Sequence, residues 1–284
     1  MDVIRTPAVS IIIPVYNRAN TVLESVNSVL RQTWTDFELL IVDDGSTDTT
    51  REVVSRINDP RVQLLQTPKN MGPSGARNVG IKAARAPWTA FQDSDDEWLP
   101  TKLALQMARL QEPQTNWIGA YCGMMILSEP DTADARTTAS YLPSPEVSVV
   151  EGDVLPSILR ANVISTQLLV ARTDILRQAG GFDENLPALV DWDLAIRLAA
   201  LGRFAFVDEP LVVQRFSPNS ITHDMVKRSR ARAVILDKHA DQIASVPGLL
   251  ARHYRSLSWE LRRAGDLPGA ARSKHGADPT VSSR

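Results

Sequence analysis

Cysteine is nearly absent from this chain: Cys122 is the only one in 284 residues. An intramolecular disulfide framework and a multi-cysteine zinc site are therefore excluded, and a reducing compartment is expected. Cys122 itself reads as a small buried apolar side chain, since no histidine stands near it in sequence. Histidine is missing from residues 1–222, the four in the chain being His223, His239, His253 and His275. Long apolar runs are missing too: residues 117–127 form the longest, 11 residues, where a membrane span needs ~20. The first residues lack the charged-then-apolar pattern of a signal peptide, so a cytoplasmic protein without a membrane anchor is expected. Neither G-x-x-x-x-G-K-[ST] nor G-x-G-x-x-G occurs, which removes the standard ATPase and dinucleotide-binding readings.

What is present is an ordinary globular composition, 43% hydrophobic and 23% charged, in a length that suits one large α/β domain with an appendage. The formal net charge of −2 conceals a split. Residues 1–224 carry 19 Lys and Arg against 28 Asp and Glu, a net of −9, and residues 225–284 carry 12 against 5, a net of +7. The two parts are expected to meet different partners.

Residues 9–14, Val-Ser-Ile-Ile-Ile-Pro, form a short β-branched run of the kind buried on both faces of a sheet. Val22, Val26, Val29 and Leu30 then mark one stripe of an amphipathic helix. The pattern returns with a strand over 37–42, the capping cluster Ser46-Thr47-Asp48 before a helix through Ser55, a strand over 62–66, a helix over 74–84 and a strand over 88–92. Repeated βα units of this length predict a doubly wound, mostly parallel sheet, whose ligands bind beyond the carboxyl ends of the strands. Beyond Leu110 the rhythm changes. Strands are expected over 119–127 and 166–171, a mobile loop over 129–145, a helix over 191–201, two or three helices over 225–274 and a frayed tail over 276–284.

The strands of the first half run into polar residues on one sheet edge: Pro14-Val15-Tyr16-Asn17, Asp43-Asp44-Gly45-Ser46 and Asp93-Ser94-Asp95-Asp96. Taken alone, Asp43-Asp44 has an ordinary reading as a helix cap or solvated turn. Three carboxylates within four residues repel one another, and a cap needs only one, so a bound cation is the expected compensation at Asp93, Asp95 and Asp96. With no His and one Cys in residues 1–222, the ligands must be oxygens, which favours Mg²⁺ or Mn²⁺ over Zn²⁺ or Cu²⁺. Such cations take remaining ligands from water and from a substrate's phosphates. The segment Asn70-Met-Gly72-Pro-Ser-Gly75-Ala-Arg77-Asn78 is a glycine-rich turn opening a helix, with backbone N–H groups and a planar cation suited to phosphate oxygens. The alternative is plain turn chemistry, with Arg77 paired to a nearby carboxylate.

In order and spacing, Val9-Ser-Ile-Ile-Ile-Pro-Val-Tyr-Asn17, Ile41-Val-Asp-Asp-Gly-Ser-Thr-Asp48, Asn70-x-Gly72 with Gly75-Ala-Arg-Asn78, Asp93-Ser-Asp-Asp96 and Asp191-Trp-Asp-Leu194 resemble the inverting family-two glycosyltransferases of the GT-A fold. The resemblance spans residues 9–201. It implies an α/β GT-A domain over 1–224, with a Rossmann-like nucleotide-sugar-binding half (1–98) and an acceptor-binding half (99–224), followed by a helical region (225–275) and a disordered tail (276–284). It implies a donor site lined by Pro14, Val15, Tyr16, Asn17, Asp44, Gly72, Arg77, Asp93, Ser94 and Asp95. Tyr16 would lie against the base, Asp44 would accept a hydrogen bond from base or ribose, and Arg77 would approach base or phosphates. Asp93 and Asp95 match the outer residues of the family's D-x-D string, Asp93 near ribose or metal and Asp95 as direct ligand to Mn²⁺ or Mg²⁺. Asp191 matches the family's catalytic base. By residue type alone, Tyr16 also reads as a core aromatic and Asp191 as a helix N-cap.

The implied reaction is a metal-assisted single displacement from a nucleoside-diphosphate sugar, most naturally a UDP-sugar, to a glycan, lipid-linked or other hydroxyl acceptor. The chain departs from the family pattern at Val190, where many members carry an acid, and at Ser217, where many carry a metal-holding His; His223 is the nearest imidazole. These departures keep open a catalytically silent sugar-nucleotide-binding or scaffold protein of the same fold. A sugar-1-phosphate nucleotidyltransferase would need a glycine- and lysine-rich N-terminal phosphate loop, and none occurs. Arg228, Arg230, Arg232, Arg252, Arg255, Arg262 and Arg263 fall on the C-terminal helices and have two readings. One is peripheral contact with an anionic membrane at its inner face, and the other a solvated face or a helix pair docked on the acidic domain. Nucleic acid is disfavoured, because the −9 half repels it.

Overall fold

The computed structural model describes residues 6–128, 138–144, 147, 149–216, 224–266 and 269–270. The first half runs β1 (Val9–Val15), α1 (Val22–Leu30), β2 (Phe37–Asp43), α2 (Thr50–Ser55), β3 (Val62–Gln66), α3 (Gly72–Ala83) and β4 (Trp88–Phe91). Its strands pair in parallel in the order β3-β2-β1-β4. Every residue of β1 and of β2 is buried, as a central strand covered on both faces requires. Each fully buried isoleucine of the run Ile11, Ile12, Ile13 contributes about 1.5–3 kcal/mol through the apolar surface it removes from water. The helices lie close: a Cβ added at Gly80 of α3 would stand 2.6 Å from the Ile12 side chain, so glycine alone permits this approach.

The second half continues with β5 (Glu97–Trp98), α4 (Lys102–Leu110), β6 (Trp117–Ser128), β7 (Thr138–Leu142), α5 (Leu155–Arg160), β8 (Val170–Arg172), α6 (Thr173–Gln178), α7 (Val190–Ala199) and β9 (Arg203–Phe216). These strands extend the same sheet, in the order β4-β8-β6-β9-β5. The long β6–β9 pairing is parallel, while β4–β8, β6–β8, β5–β9 and β6–β7 are antiparallel. The doubly wound parallel character predicted from the βα rhythm thus belongs to the first half, and a mixed extension is built onto it.

Two local features differ from the sequence expectations. Thr166–Leu168 is a 3-10 turn, and only Val170–Arg172 of that region is extended, because the Leu168 carbonyl turns aside to accept from Gln106 Nε2 at 2.7 Å. Strand β7 lies inside the stretch expected to be a mobile loop, because it has an edge of β6 to pair with; residues 129–137, 145 and 146 lie outside the described residues. Helix α4 buries the apolar stripe Leu103, Met107 and Leu110, and with it the polar side chains of Lys102 and Gln106. The Lys102 ammonium donates to Gln106 Oε1 at 2.7 Å and sits 3.9 Å from the Trp98 ring centre, and burial lowers its pKa to about 8. Cys122 is buried, with burial pushing its thiol up to about 11.

The C-terminal helices α8 (Met225–Lys238), α9 (Ala240–Ala244) and α10 (Leu249–Arg263) dock on the second half. His253 Nε2 of α10 donates to the Leu159 carbonyl of α5 at 2.8 Å, and its ring lies 5.6 Å from that of Trp192 on α7. Arg232 of α8 bonds Glu260 of α10 at 3.1 Å and stacks 5.5 Å from the Trp192 ring. No helix among the described residues is long and apolar enough to cross a membrane. The tail 276–284 lies outside the described residues.

Candidate active site

The carboxyl ends of β1, β2 and β4 meet on one sheet edge, where the topology brings three polar loops together. After β1, Asn17 adopts a left-handed backbone (φ +52°), a conformation asparagine tolerates better than most residues. Its side-chain oxygen accepts from the N–H groups of Thr47 (2.8 Å) and Asp48 (3.3 Å), and its own N–H donates to Ser46 Oγ (3.0 Å). The first loop is thereby tied to the second. Pro14 and Val15 are buried in the strand, whereas Tyr16 is 45% exposed, so it is a surface aromatic at the carboxyl end of β1 and not a core residue.

The two acids after β2 have different work. Asp43 caps its own turn through the Ser46 N–H (3.1 Å) and lies 3.6 Å from Arg51 Nε. Asp44 is buried and accepts from Thr67 Oγ1 and the Met71 N–H, both at 2.8 Å, so it fastens the loop that leads to α3. Gly72, with φ +74°, opens α3 in a conformation that favours glycine.

Arg77, projecting from α3 and buried, reaches Asp93 Oδ1 at 2.5 Å. Its guanidinium lies 5.4 Å from the centre of the Phe182 ring, which in turn meets Phe91 edge-on at 5.2 Å. The three clustered carboxylates have separate fates. Asp93 is offset by Arg77. Asp96 turns inward, where its Oδ2 accepts from Gln167 Nε2 (3.0 Å) and Gln214 Nε2 (3.3 Å); burial, then the charges of Asp93 and Asp95, push its pKa well above the ordinary value. Asp95 stays 56% exposed with Arg18 at 3.8 Å, and desolvation followed by repulsion from Asp93 raises its pKa. Ser94 between them is buried. The protein's own groups therefore offset part of the charge that sequence alone left to a cation, and Asp95 is the carboxylate left facing outward.

That donor set suits a hard cation. An exposed carboxylate with a second one beside it matches the way Mg²⁺ and Mn²⁺ are bound, with phosphates and water completing the shell. Among the described residues no group of three or more His, Cys, Asp and Glu forms a ready-made metal cage. Ser217 and His223 lie outside the described residues.

Asp191 is the second residue of α7, and the N-cap position is taken by Leu189 in the left-handed region (φ +55°), so Asp191 is not the cap. Its Oδ1 accepts from the Trp192 N–H at 2.9 Å. Burial raises its pKa, an effect tempered by a hydrogen bond from Asn162 and by the charge of Arg77. A small cavity lined by Ile164, Thr166, Phe182, Leu194 and Phe204 reaches Asp191. Phe182 thus touches both ends of the site: it lines the cavity at Asp191 and carries the Arg77 guanidinium that holds Asp93. Val190, where an acid was expected from the family pattern, opens the helix.

Several residues matter that motif reading did not single out. Asn78 clamps Phe182, accepting from its N–H at 2.8 Å and donating to its carbonyl at 2.9 Å. The signal was the pair Gly180-Gly181, both at positive φ, where a Cβ on Gly181 would stand 2.4 Å from Asn78 Oδ1. Arg18 directly follows the first loop and faces Asp95. Asp193, two residues beyond Asp191, is fully buried and accepts from Arg197 Nε (2.9 Å), Lys238 Nζ (2.9 Å) and His239 Nε2 (2.9 Å). Burial alone would raise its pKa, but the His239 hydrogen bond and the charges of Arg197 and Lys238 outweigh it and hold the carboxyl well below the usual range.

With this geometry in hand, residues 10–124 match the family model described as glycosyl transferase family 2. The chain carries a family 2 glycosyltransferase domain. An uncharacterized glycosyltransferase of Rickettsia felis is 34% identical over 222 residues, covering 78% of this chain and 35% of the relative. The Escherichia coli UDP-Glc:alpha-D-GlcNAc-diphosphoundecaprenol beta-1,3-glucosyltransferase WfgD is 44% identical over 102 residues, 36% of this chain and 40% of that protein. The chain spans about a third of the length of the first curated relatives it matches. Among solved structures, S. aureus TarS in complex with UDP-GlcNAc superposes with a TM-score of 0.68 at 20% identity, covering 95% of this chain and 81% of that one. The mannosyltransferase PcManGT of Pyrobaculum calidifontis, in complex with GDP-Man and Mn²⁺, gives 0.66 at 19% identity, covering 95% and 74%. The family 2 domain therefore has the α/β GT-A fold expected from its motifs.

Proposed function

We propose that the chain is an inverting glycosyltransferase that moves a sugar from a nucleoside-diphosphate donor, a UDP-sugar first, to a hydroxyl of a glycan or lipid-linked acceptor. The observation that supports this reading is the run of contacts from Asp93 through Arg77 to Phe182, whose ring also lines the small cavity that reaches Asp191. In this reading residues 1–98 hold the donor and 99–224 the acceptor. Tyr16, with Pro14, Val15 and Asn17, borders the nucleoside, Asp44 accepts from base or ribose, and Gly72, Arg77, Asp93 and Ser94 border the ribose and diphosphate. UDP complexes of TarS and the UDP-Glc donor in the name of WfgD favour uridine, and the acceptor in that name favours a lipid-linked glycan.

Asp95, assisted by Asp93, would hold Mn²⁺ or Mg²⁺, which when bound supplies positive charge to the departing diphosphate. Asp191 takes the proton of the acceptor hydroxyl as that oxygen attacks the anomeric carbon. The new glycosidic bond forms as the bond to the β-phosphate oxygen breaks, and its electron pair leaves with the nucleoside diphosphate. A single in-line displacement inverts the anomeric centre and needs no enzyme nucleophile. Arg77, a permanent cation beside Asp93, holds that carboxylate in place and adds to the field at the leaving group.

The test is nucleotide release by the full chain with Mn²⁺, a panel of UDP-Glc, UDP-Gal, UDP-GlcNAc and GDP-Man, and a polyprenyl-diphosphate-linked sugar as acceptor. Metal-dependent release that Asp191→Asn abolishes while UDP binding persists is the expected result. Binding without turnover across the panel, indifferent to Asp191→Asn, would mean a sugar-nucleotide-binding protein instead.

A further inference from the structure

We infer that the outer face of α10 is a docking surface for an anionic lipid bilayer. The helix is sharply two-sided. Leu249, His253, Leu257, Ser258 and Leu261 are buried against the rest of the molecule. The opposite stripe, at the spacing of successive turns, is Arg252, Arg255, Ser256, Trp259, Arg262 and Arg263, all exposed. Four guanidinium groups and one large aromatic thus share a face on which no residue is acidic. Asp266, just beyond the helix, caps the Gly269 N–H at 2.8 Å. Trp259 is 57% exposed, the highest of the large hydrophobic side chains among the described residues, and Arg263 stacks on its ring at 4.8 Å.

The alternative for these basic helices was docking onto the acidic domain, and the structure assigns that work to other residues. Lys238 and His239 bond Asp193, Lys238 also bonds Asp183 at 2.8 Å, and Arg232 stacks on the Trp192 ring of α7. Among the described residues, the arginines of the α10 stripe take no part in that docking and form no ion pair with an acidic side chain. A planar anionic surface fits the remainder. Arginines bind lipid phosphates, and an indole with an apolar body and a polar N–H is suited to the boundary between headgroups and acyl chains. A rod-like nucleic acid fits less well, because a duplex extending past the helix would meet the −9 domain. The placement also bears on the proposed reaction without depending on it. His253 on the inner side of α10 packs against Trp192, next to Asp191 on α7, so a bilayer on the outer side lies one helical layer from the candidate base.

The experiment is co-sedimentation of the full chain with vesicles of phosphatidylcholine alone and of an equimolar mixture with phosphatidylglycerol, at physiological and at molar salt. Binding to the mixed vesicles alone, released by molar salt, is expected. Arg255→Glu and Arg262→Glu should each weaken partitioning at least about fivefold, while Arg255→Lys keeps it. Trp259→Ala should remove the fluorescence blue shift that accompanies binding. Equal binding to both vesicle types, charge-reversal variants that bind like the wild type, no binding to the mixed vesicles, or tighter binding to duplex RNA or an acidic peptide would each overturn the assignment. UDP affinity in the presence of Mn²⁺, unchanged in these variants, keeps this result separate from the donor site.

Discussion

At the carboxyl end of β4, Asp95 is 56% exposed and meets Arg18 at 3.8 Å; at the junction of α7 with the C-terminal helices, Asp193 is fully buried among Arg197, Lys238 and His239. Both belong to acidic stretches of similar look, Asp-Ser-Asp-Asp and Asp-Trp-Asp. The difference lies in who answers the charge. Around Asp193 every approach is filled by protein donors, so the acid joins elements distant in sequence. Around Asp95 the answer is partial and open to solvent, so a ligand can supply the rest. Asp191 stands between these cases, two residues from Asp193 on the same helix but reached by a cavity.

The largest test of that contrast is Asp191→Asn, expected to lower kcat by about 10²–10⁴-fold, the range for loss of a general base, with UDP affinity and unfolding midpoint unchanged. Because burial raises its pKa, and the base must be ionised, the acid limb of kcat/KM should be displaced upward from the position an ordinary aspartate would give it.

Asp193→Ala should instead cost about 3–5 kcal/mol in urea unfolding, since it removes the buried acceptor shared by Arg197, Lys238 and His239. Its folded pKa lies below the unfolded 3.8, so the stability it contributes is complete above that value and is lost as pH falls through the folded pKa. Wild-type stability should therefore fall below about pH 4, and the variant's profile should be flatter there.

Lys102 is the inverse case, a buried cation answered by neutral groups. With a folded pKa of about 8 against 10.5, it opposes folding at neutral pH, and that opposition fades as pH rises from 8 to 10.5. Lys102→Met should raise neutral-pH stability by about 1–2 kcal/mol, the gain being trimmed by the acceptor left on Gln106. The two proteins should converge at alkaline pH in the same urea assay.

Asp95→Asn should have the smallest effect on folding, within about 0.5 kcal/mol. Isothermal titration should nevertheless show UDP affinity in Mn²⁺ falling about tenfold, a loss of roughly 1.4 kcal/mol. A large loss of stability here would erase the distinction between the two acidic sites.

The parallel half was legible because β1 and β2 are continuous apolar runs and each is followed by a periodic helix and a polar strand end. The same polar ends place Tyr16, Asp44 and Asp95 at one sheet edge on sequence pattern alone. The second half was less legible. Helix α4 hides a lysine and a glutamine in its buried stripe, and β7 exists only because an edge of β6 is there to pair with. Asn78 lay inside a recognised motif, yet its partner, Phe182, is 104 residues away.

By itself the sequence determined the alternation of strand and helix, the residue types at the strand ends and the separation of charge between residues 1–224 and the C-terminal helices, because these follow from local periodicity and composition. Tertiary structure alone decided which acids are spent and which are available. A carboxylate's role depends on the partners that distant segments bring within about 3 Å of it, and on the water they exclude. Those partners, Arg77 for Asp93, Gln167 and Gln214 for Asp96, and Lys238 and His239 for Asp193, come from elements that only the folded chain places side by side.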